Sequence, residues 1–298
     1  MIKSINDLFL VIKKIPRAIR KRMFILKYMA VNIGFISRKK SKTNNNVVVS
    51  LTTHGKRIKT VYLTIESILD GCILPKKIYL WLDDDVIYKN LPKSLLNIKD
   101  CRFEVKLSNN YGPHTKYFPY ILMQDFTNLL VTADDDILYP AEWLSMLVSA
   151  NLAEPDKICC YRAHKICFRD EFQMSNYNEW DKCLTVEPSF CNFATGVSGV
   201  IYPKEFQLEL YNEGTGFIQK CLKADDVWLH FIAVKYDFKI KQIQKEPIHF
   251  PIINNTQDVA LFNSNVLNNH NQEQINMTYN PEEISKIYSD FLLYKHNG

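Results

Sequence analysis

Three consecutive aspartates, Asp134, Asp135 and Asp136, follow the apolar segment 128–132 and form the most distinctive chemical pattern in this sequence. Successive residues of an extended segment point to opposite sides, so the pattern predicts that Asp134 and Asp136 face one way and Asp135 the other. Two carboxylates at a strand end are hard oxygen ligands for Mg²⁺ or Mn²⁺, and such ions are often held together with substrate phosphates. The motif therefore predicts a metal–diphosphate site, with a solvated acidic turn as the alternative.

The elements around this motif alternate between strand and helix patterns. Strand patterns cover 47–51, 77–82, 103–107 and 128–132, helix patterns cover 60–69, 116–123 and 140–148, and shorter patterns follow at 158–161, 199–202, 225–236 and 239–243. This alternation predicts an α/β fold with a largely parallel sheet covered on both faces. Ligands of open α/β sheets bind at the carboxyl ends of the strands. The acidic triplets 83–85 and 134–136 each end a predicted strand, so they are placed where a ligand would lie.

The order of these features resembles a known family. A β-branched first strand that ends in Ser-Leu-Thr-Thr at 50–53, an acid-ended second strand and an acidic motif after the fourth strand look like a GT-A glycosyltransferase. The pattern is most similar to bacterial family-2-like enzymes of surface-polysaccharide assembly, and it covers roughly residues 47–250. The resemblance implies a GT-A fold with a mostly parallel central sheet. It also implies a metal-dependent transfer of a sugar from a nucleotide diphosphate donor, with inversion at the anomeric carbon.

Three further segments carry the resemblance. The segment 193–200 is similar to the small-residue loop that lies against the donor sugar, and segment 223–228 resembles the acidic motif that supplies the catalytic base. The resemblance implies that Asp226 takes the proton of the acceptor hydroxyl, with Asp225 as the alternative; aspartate is equally favoured at a helix N-terminus as a cap. A histidine after a late strand, His249, resembles the one that reaches the metal, and a satisfied, partly buried histidine is the alternative.

The resemblance also assigns residues to the donor and the metal. The implied donor-binding residues are Thr52, Thr53, Arg57, Asp83, Asp85, Lys116, Asp134, Asp135, Gly196 and Gly199, and the implied ligands of Mn²⁺ or Mg²⁺ are Asp136, Asp134 and His249. Arg57 suits a diphosphate because its guanidinium is planar and bidentate. Arg162 and His164 are candidates to face the acceptor. The sequence departs from the family in two places, because the acidic motif reads Asp-Asp-Asp and Asp225 stands where glutamate is usual.

Other enzyme classes are excluded or kept as alternatives. The sequence contains neither a G-x-x-x-x-G-K-[ST] motif nor a G-x-G-x-x-G motif, which excludes P-loop enzymes and Rossmann dehydrogenases. A sugar-nucleotide transferase usually has a glycine-rich loop after its first strand, where this chain has only Gly55 within 51–55. That enzyme class remains an alternative, as does a non-catalytic glycan- or membrane-binding protein on the same fold.

Positive charge is concentrated in the first 46 residues. They contain 12 Lys or Arg residues and one acidic residue, Asp7, whereas the whole chain carries a net charge of +5. This confinement to one end does not suggest a nucleic-acid partner. Apolar and basic residues alternate in residues 1–45, and a basic amphipathic helix can lie on an anionic membrane surface. We therefore expect peripheral membrane contact, with a helix packed on the domain as the alternative.

Composition and cysteine usage complete the sequence-based expectations. Hydrophobic residues make up 47% and charged residues 23% of the 298 residues, which excludes disordered, collagen-like and coiled-coil chains. We expect an arm and polar linker at 1–46, and one catalytic domain at 47–298 with a donor half (47–140) and an acceptor half (141–298). The eight cysteines form no C-x-x-C pair and no signal peptide is recognisable. These features predict a cytoplasmic protein at the inner face of the membrane.

Overall fold

A seven-stranded sheet forms the centre of the computed structural model, which describes residues 16–38, 40–253 and 270–297. The strands of the described residues, in chain order, are β1 (Lys42–Thr52), β2 (Ile73–Leu82), β3 (Phe103–Leu107), β4 (Leu129–Thr132), β5 (Ile158–Cys160), β6 (Ala163–Lys165), β7 (Phe168–Asp170), β8 (Gln173–Met174), β9 (Asp181–Lys182), β10 (Asn192–Ala194), β11 (Val200–Tyr202) and β12 (Ile240–Gln242). The order across the central sheet is β12-β5-β11-β4-β1-β2-β3.

Most neighbouring strands of this sheet run parallel. β1 pairs in parallel with β2 and β4, β2 with β3, and β5 with β12, whereas β11 is antiparallel to both β4 and β5. The predicted α/β class with a mostly parallel sheet is confirmed. A second, antiparallel sheet has the order β10-β6-β9, and β7 pairs with β8. The central sheet joins the predicted donor and acceptor halves, because β11 from the second half lies beside β4 from the first.

Helices cover both faces of the central sheet. They are α1 (Arg17–Asn32), α2 (Val61–Leu69), α3 (Asp85–Lys89), α4 (Lys93–Leu96), α5 (Phe118–Leu122), α6 (Trp143–Ala153), α7 (Lys204–Glu213), α8 (Phe217–Lys220), α9 (Asp225–Lys235), α10 (His270–Thr278) and α11 (Pro281–Asn297). Short 3₁₀ turns lie at Gly55–Lys59, Gly112–Lys116, Tyr177–Glu179 and Gly196–Ser198.

Successive side chains of β1 point to opposite faces of the central sheet, as expected for a strand, and so belong to two core clusters. Val47, Val49 and Leu51 pack with α2 and α6 in one cluster, and Val48 packs with α5, α7 and α9 in another. The sheet is therefore buried on both sides, as in parallel α/β sheets generally. This burial leaves the ends of the strands as the accessible polar edges.

The basic segment before β1 packs on α2. Lys27 and Tyr28 of α1 contact Asp70, while Arg38 donates two hydrogen bonds of 2.7 and 2.8 Å to the buried Glu66. The linker predicted at 41–46 is wrong, because 42–46 belong to β1 and Lys42–Asn44 pair with Ile73–Pro75 of β2. Strand pairing overrides the poor strand propensity of the asparagines. Residues 1–15 of the predicted arm lie outside the described residues.

Two further observations concern membrane-spanning helices and the C-terminal residues. Across the ranges that the structure describes, no helix has the length and apolar character needed to cross a membrane. The asparagine-rich sequence 254–271 predicts an extended loop, but residues 254–269 lie outside the described residues, and α10 begins at His270. Helices α10 and α11 pack on α9 through Ile275, Ile287 and Phe291, together with Tyr279 between the two helices.

Candidate active site

The loop after β1 is tied to the acidic motif after β4. Thr53 Oγ1 donates a hydrogen bond of 2.5 Å to Asp135 Oδ2, and Arg57 Nη1 lies 2.8 Å from Asp135 Oδ1. Thr64 of α2 donates to the Asp135 carbonyl. Burial raises the pKa of Asp135, and the charge of Arg57 opposes that shift. Thr53 and Arg57 therefore contact the acidic motif directly, although they lie about 80 residues before it in the sequence.

The three aspartates lie in a turn beyond the strand. β4 ends at Thr132, and Asp135 and Asp136 occupy the turn that follows. Arg57 contacts both Asp135 and Asp136, at 2.8 and 3.5 Å, whereas Asp134 pairs with another cation. The strand-like alternation predicted for these three aspartates is therefore corrected. It assumed extended backbone through all three residues, and a turn does not keep that alternation.

Lys116 joins the two acidic motifs. Its ammonium nitrogen lies 3.1 Å from Asp134 Oδ1 and 3.0 Å from Asp225 Oδ2. The lysine side chain is 12% exposed, so water screens these two ion pairs weakly. Burial would lower the pKa of Lys116, but the charges of Asp134, Asp225 and Asp226 raise it well above its usual value. The motifs at 134–136 and 225–226 therefore belong to one site, held together by a buried cation.

The predicted base stands beside the glycine loop. The Gly196 N–H donates a hydrogen bond of 3.1 Å to Asp226 Oδ1. Burial raises the pKa of Asp226 to about 7, with a further contribution from the charge of Asp225, while Lys116 opposes the rise. A carboxylate with that pKa can accept and release a proton near neutral pH. Asp226 is partly exposed, whereas Asp225 is 7% exposed and is paired with Lys116.

Different physical constraints favour glycine at Gly196 and at Gly199 of the 193–200 segment. A Cβ atom at Gly196 would lie 3.1 Å from Lys116 Nζ and 3.2 Å from Asp226 Oδ1, so its absence keeps room beside the charged groups. Gly199 has φ +99°, and a Cβ atom there would lie 2.6 Å from the Trp143 indole nitrogen. The backbone conformation and the packing of Trp143 therefore account for a glycine at 199, and the donor contact predicted for Gly199 stays a prediction.

Some of the other predicted donor-binding residues line a cleft, whereas others form contacts elsewhere in the fold. Asp84 caps α3 by accepting hydrogen bonds from the Val86 and Ile87 N–H groups, and Asp85 pairs with Lys89 on the exposed side of that helix. Thr52 Oγ1 donates to the Trp81 carbonyl. A small open cleft of about 100 Å³ lies between the ends of β1 and β2. Its lining residues are Thr53, His54, Gly55, Ile58, Leu82, Asp83, Asp84 and Ile87. Thr53 and Asp83 thus line the cleft, whereas Thr52 and Asp85 make other contacts.

The segment with His249 lies next to the acidic motif but does not join it in a metal-binding group. The Ile253 N–H donates to the Asp136 carbonyl, which ties the 248–253 segment to the turn. His249 Nε2 accepts a hydrogen bond of 3.3 Å from Arg162 Nε. Among the described side chains, no group of three or more His, Cys, Asp or Glu residues is arranged to hold a metal ion. His249 is thus removed from the predicted ligand set of Asp134, Asp136 and His249, because its Nε2 accepts the N–H of Arg162.

The carboxylates that remain still suit a hard metal ion. Asp134 and Asp136 are adjacent acids in one turn at a strand end, and one or two carboxylates suffice where substrate phosphates supply the other ligands. Both carboxylates are paired with cations, Lys116 and Arg57 respectively, which offset their mutual repulsion. The acidic turn therefore fits a two-carboxylate site for Mn²⁺ or Mg²⁺.

Arg162 is the centre of a second polar cluster. Its Nη1 donates a hydrogen bond of 2.6 Å to Thr195 Oγ1, and its Nη2 lies 3.1 Å from His164 Nε2. Its Nε donates a hydrogen bond to His249 Nε2. Burial, followed by the charge of Arg162, lowers the pKa of His164 to about 4. Both histidines therefore act as neutral partners of the guanidinium. Sequence reasoning named Arg162 and His164, but it missed Thr195, whose only signal is its position before Gly196.

His114 is a buried residue that supports the turn carrying Lys116. Its ring nitrogens lie 2.9 Å from the Tyr117 hydroxyl and 2.9 Å from the Cys221 carbonyl, and its ring stacks on Phe217. Burial lowers its pKa to about 4. These contacts hold the Gly112–Lys116 turn against α8 and so position Lys116 between the acidic motifs.

Comparison with known proteins gives a weak structural similarity. No family model matches the sequence, and no curated protein matches it. Among solved structures, the fold is similar to GalNAc-T7 crystallised with UDP, GalNAc and Mn²⁺, with a TM-score of 0.48 and 12% sequence identity. The match covers 67% of this chain and 42% of that chain, so this chain spans less than half of its length. Similarity at this level does not assign an activity.

Proposed function

We propose that this chain is a metal-dependent glycosyltransferase with a GT-A fold. It transfers a sugar from a nucleotide diphosphate donor to a hydroxyl of a glycan or lipid-linked acceptor, and we assign it to surface-polysaccharide synthesis. The observation that carries the proposal is the pairing of Lys116 with Asp134 and with Asp225, because it joins the two acidic motifs that such a transfer needs. This junction lies at the carboxyl end of β4, the edge at which α/β sheets bind ligands.

The donor is expected at the edge formed by β1, β2 and β4. The cleft beside Thr53 and Asp83 offers polar groups for the nucleoside, and Arg57 lies between that cleft and the acidic turn. When bound, a metal ion would be held by Asp134 and Asp136 together with donor phosphates, and it would offset charge on the leaving diphosphate. Arg57 supplies a planar cation at the same edge.

Asp226 is the proposed general base. Its carboxylate takes the proton from the acceptor hydroxyl as that oxygen attacks the anomeric carbon of the donor sugar. The bond between the anomeric carbon and the diphosphate oxygen breaks, and in-line attack inverts the configuration. The Gly196 N–H orients Asp226, while Lys116 pairs with Asp225, so the two neighbouring acids have different partners. A positioned base of this kind contributes about 10²–10⁴ to a rate.

The membrane surface is the proposed location of the acceptor. Large apolar side chains of α1 and the turn after it are exposed, among them Ile19 (51%), Leu26 (64%), Ile33 (73%) and Phe35 (83%). Basic residues lie on the same segment, and anionic headgroups complement that combination. We therefore propose peripheral attachment at the cytoplasmic face of the membrane through this exposed side of α1.

Cosedimentation with vesicles tests the attachment. We expect binding to vesicles with anionic lipid, weaker binding to neutral vesicles, and a loss of about tenfold or more in an Ile33→Asp, Phe35→Asp double variant. Phe172→Asp is the matched control, because Phe172 is 69% exposed in the β7–β8 hairpin. Equal binding by the double variant and the wild type would disprove the attachment.

Calorimetric titration with UDP, GDP, dTDP and CMP, with and without Mn²⁺, tests the donor site. We expect one nucleotide to bind, Mn²⁺ to strengthen its binding, and Asp136→Ala to remove the metal dependence. Asp156→Ala is the control, because Asp156 is an exposed carboxylate before β5 whose partner is the neighbouring Lys157. If folded protein binds no nucleotide, the transferase proposal is wrong. Binding that ignores both Mn²⁺ and Asp136→Ala would disprove the metal assignment alone.

A further inference from the structure

Arg162 differs from other partly buried arginines of the chain in the charge of its partners. Arg38 pairs with Glu66 and Arg57 with Asp135, both carboxylates that are almost fully buried. The three hydrogen-bond partners of Arg162 are a threonine hydroxyl and two histidine nitrogens, all of which are neutral acceptors. Within 16–38, 40–253 and 270–297, no carboxylate forms an ion pair with this guanidinium.

Further positively charged residues lie near the cluster of Arg162, His164 and His249. His164 on β6 stands opposite Lys182 on β9 in the antiparallel sheet. Burial and then the charges of Arg162, Lys182 and Arg17 lower the pKa of His249. Burial lowers the pKa of Arg162, and the charge of Asp226, which lies beyond ion-pair distance, opposes only part of that shift. A partly desolvated cation without a paired carboxylate is costly, and a bound anion would reduce that cost. The local charge therefore favours an oxyanion.

The guanidinium also has donors to offer. Arginine carries five N–H groups, and three of those of Arg162 are used by Thr195, His164 and His249. Two remain for a ligand, and arginine binds phosphate and carboxylate oxygens strongly through charge-assisted hydrogen bonds. The histidine rings hold the guanidinium in place from two sides, which reduces the ordering that binding requires.

The cluster adjoins the proposed base. Thr195, which accepts from Arg162, directly precedes Gly196, whose N–H donates to Asp226. The cleft at the ends of β1 and β2 has a different lining, which includes neither Arg162 nor its partners. We propose that Arg162, His164 and His249 bind an anionic group of the acceptor, a phosphate or a carboxylate. The assignment to the acceptor rests on the proposed transferase function, whereas the anion site itself does not.

Titrations at constant ionic strength test the site with inorganic phosphate, acetate and UDP as probes, read from the amide shift of Thr195 and from calorimetry. We expect Arg162→Gln to weaken phosphate or acetate binding by about tenfold or more, the loss of a charge-assisted contact. His249→Gln should weaken it by a smaller factor, and this exposed position provides a second variant if Arg162→Gln does not fold. Arg162→Lys, which keeps the charge without the planar geometry, should restore part of the affinity.

Arg169→Gln is the matched control, because Arg169 is exposed in the same half and pairs with Glu179. It makes the same change in charge and should leave phosphate and acetate binding unchanged. No response of the wild type to either anion, or an equal loss in Arg169→Gln, would overturn the anion site.

UDP distinguishes the two possible sources of the anion. We expect Arg162→Gln to bind UDP as the wild type does. A parallel loss of UDP binding would instead assign the cluster to the donor phosphates and overturn the acceptor assignment. Failure of the wild type to bind any nucleotide would count against the transferase function, while a phosphate response abolished by Arg162→Gln would still support the anion site.

Discussion

The proposed donor half, 47–140, and the proposed acceptor half, 141–298, hold their partly buried cations in opposite ways. In the donor half, Arg57 meets Asp135 at 2.8 Å and Asp136 at 3.5 Å, so its charge is balanced within the fold. In the acceptor half, the hydrogen-bond partners of Arg162 among the described residues are a neutral hydroxyl and two imidazole groups. The difference suggests that the donor edge is organised before a ligand arrives, whereas the acceptor cluster keeps a charge for a ligand to neutralise.

Lys116 stands between these two regions. It pairs with Asp134 of the donor half and Asp225 of the acceptor half, and a buried charge left without its partner is strongly destabilising. The comparison therefore predicts that stability depends on Lys116 and Arg57 much more than on Arg162.

The largest effect is expected from Lys116→Met. This change leaves Asp134 and Asp225 close together without a cation, and we expect it to lower the free energy of unfolding by about 3–5 kcal/mol. Urea denaturation measures the loss. Lys89→Met is the control, because Lys89 forms an exposed pair with Asp85, and it should cost about 0.5 kcal/mol or less. Equal stability of Lys116→Met and the wild type would contradict the conclusion that Lys116 holds the two acidic motifs together.

Arg57→Gln and Arg162→Gln compare the two arginines directly. Arg57→Gln leaves the buried Asp135 without its cation and should lower the free energy of unfolding by about 3 kcal/mol. Arg162→Gln removes a charge that forms no ion pair among the described residues and should change the free energy of unfolding by about 1 kcal/mol or less. The same urea denaturation gives both values. Equal losses would show that the two halves do not differ as described.

The pH dependence of transfer should report Asp226. A general base works as the carboxylate, and the ionised fraction rises with pH, so the rate should rise as the pH passes through about 7. Asp225→Asn removes a neighbouring negative charge that raises the pKa of Asp226, and should shift the midpoint down by about one pH unit. Initial rates between pH 5 and 9 measure both profiles. A midpoint unchanged by Asp225→Asn would argue against this coupling.

A smaller effect is expected from Gly196→Ala. The added methyl group would lie 3.1 Å from Lys116 Nζ and 3.2 Å from Asp226 Oδ1, so both groups must shift by a few tenths of an ångström. We expect kcat to fall by about tenfold or less, with a stability cost of about 1 kcal/mol. Steady-state kinetics and thermal unfolding measure the two effects. A gain in kcat would contradict the proposed role of Gly196 in orienting the base.

The strand ends could be predicted from the sequence, but the contacts between them could not. β-branched and apolar runs followed by acids at 83 and 134 identified the strands and the polar edge. Lys116 contacts carboxylates 18 and 109 residues further along the chain, and only the packing of α5 and α9 on one face of the sheet brings these segments together. No local pattern contains that information.

The errors made from the sequence have a common cause. The alternation of Asp134 and Asp136 assumed that β4 continued past Thr132, and the linker at 41–46 assumed that a polar, asparagine-rich segment lies outside the first strand. Both depend on where pairing with a neighbouring strand stops, which is a tertiary property. The metal role expected of His249 likewise depended on its neighbour, Arg162, 87 residues away.

The most direct test of the account is the rate of sugar transfer by Asp226→Asn, with nucleotide affinity measured on the same samples. The account predicts that the rate falls by about 10²–10⁴ while the dissociation constant for the nucleotide changes by about twofold or less. Asp226→Asn keeps the size of the side chain, so loss of packing does not explain such a result. An unchanged rate, or an equal loss of nucleotide binding, would contradict the role of Asp226 as the base.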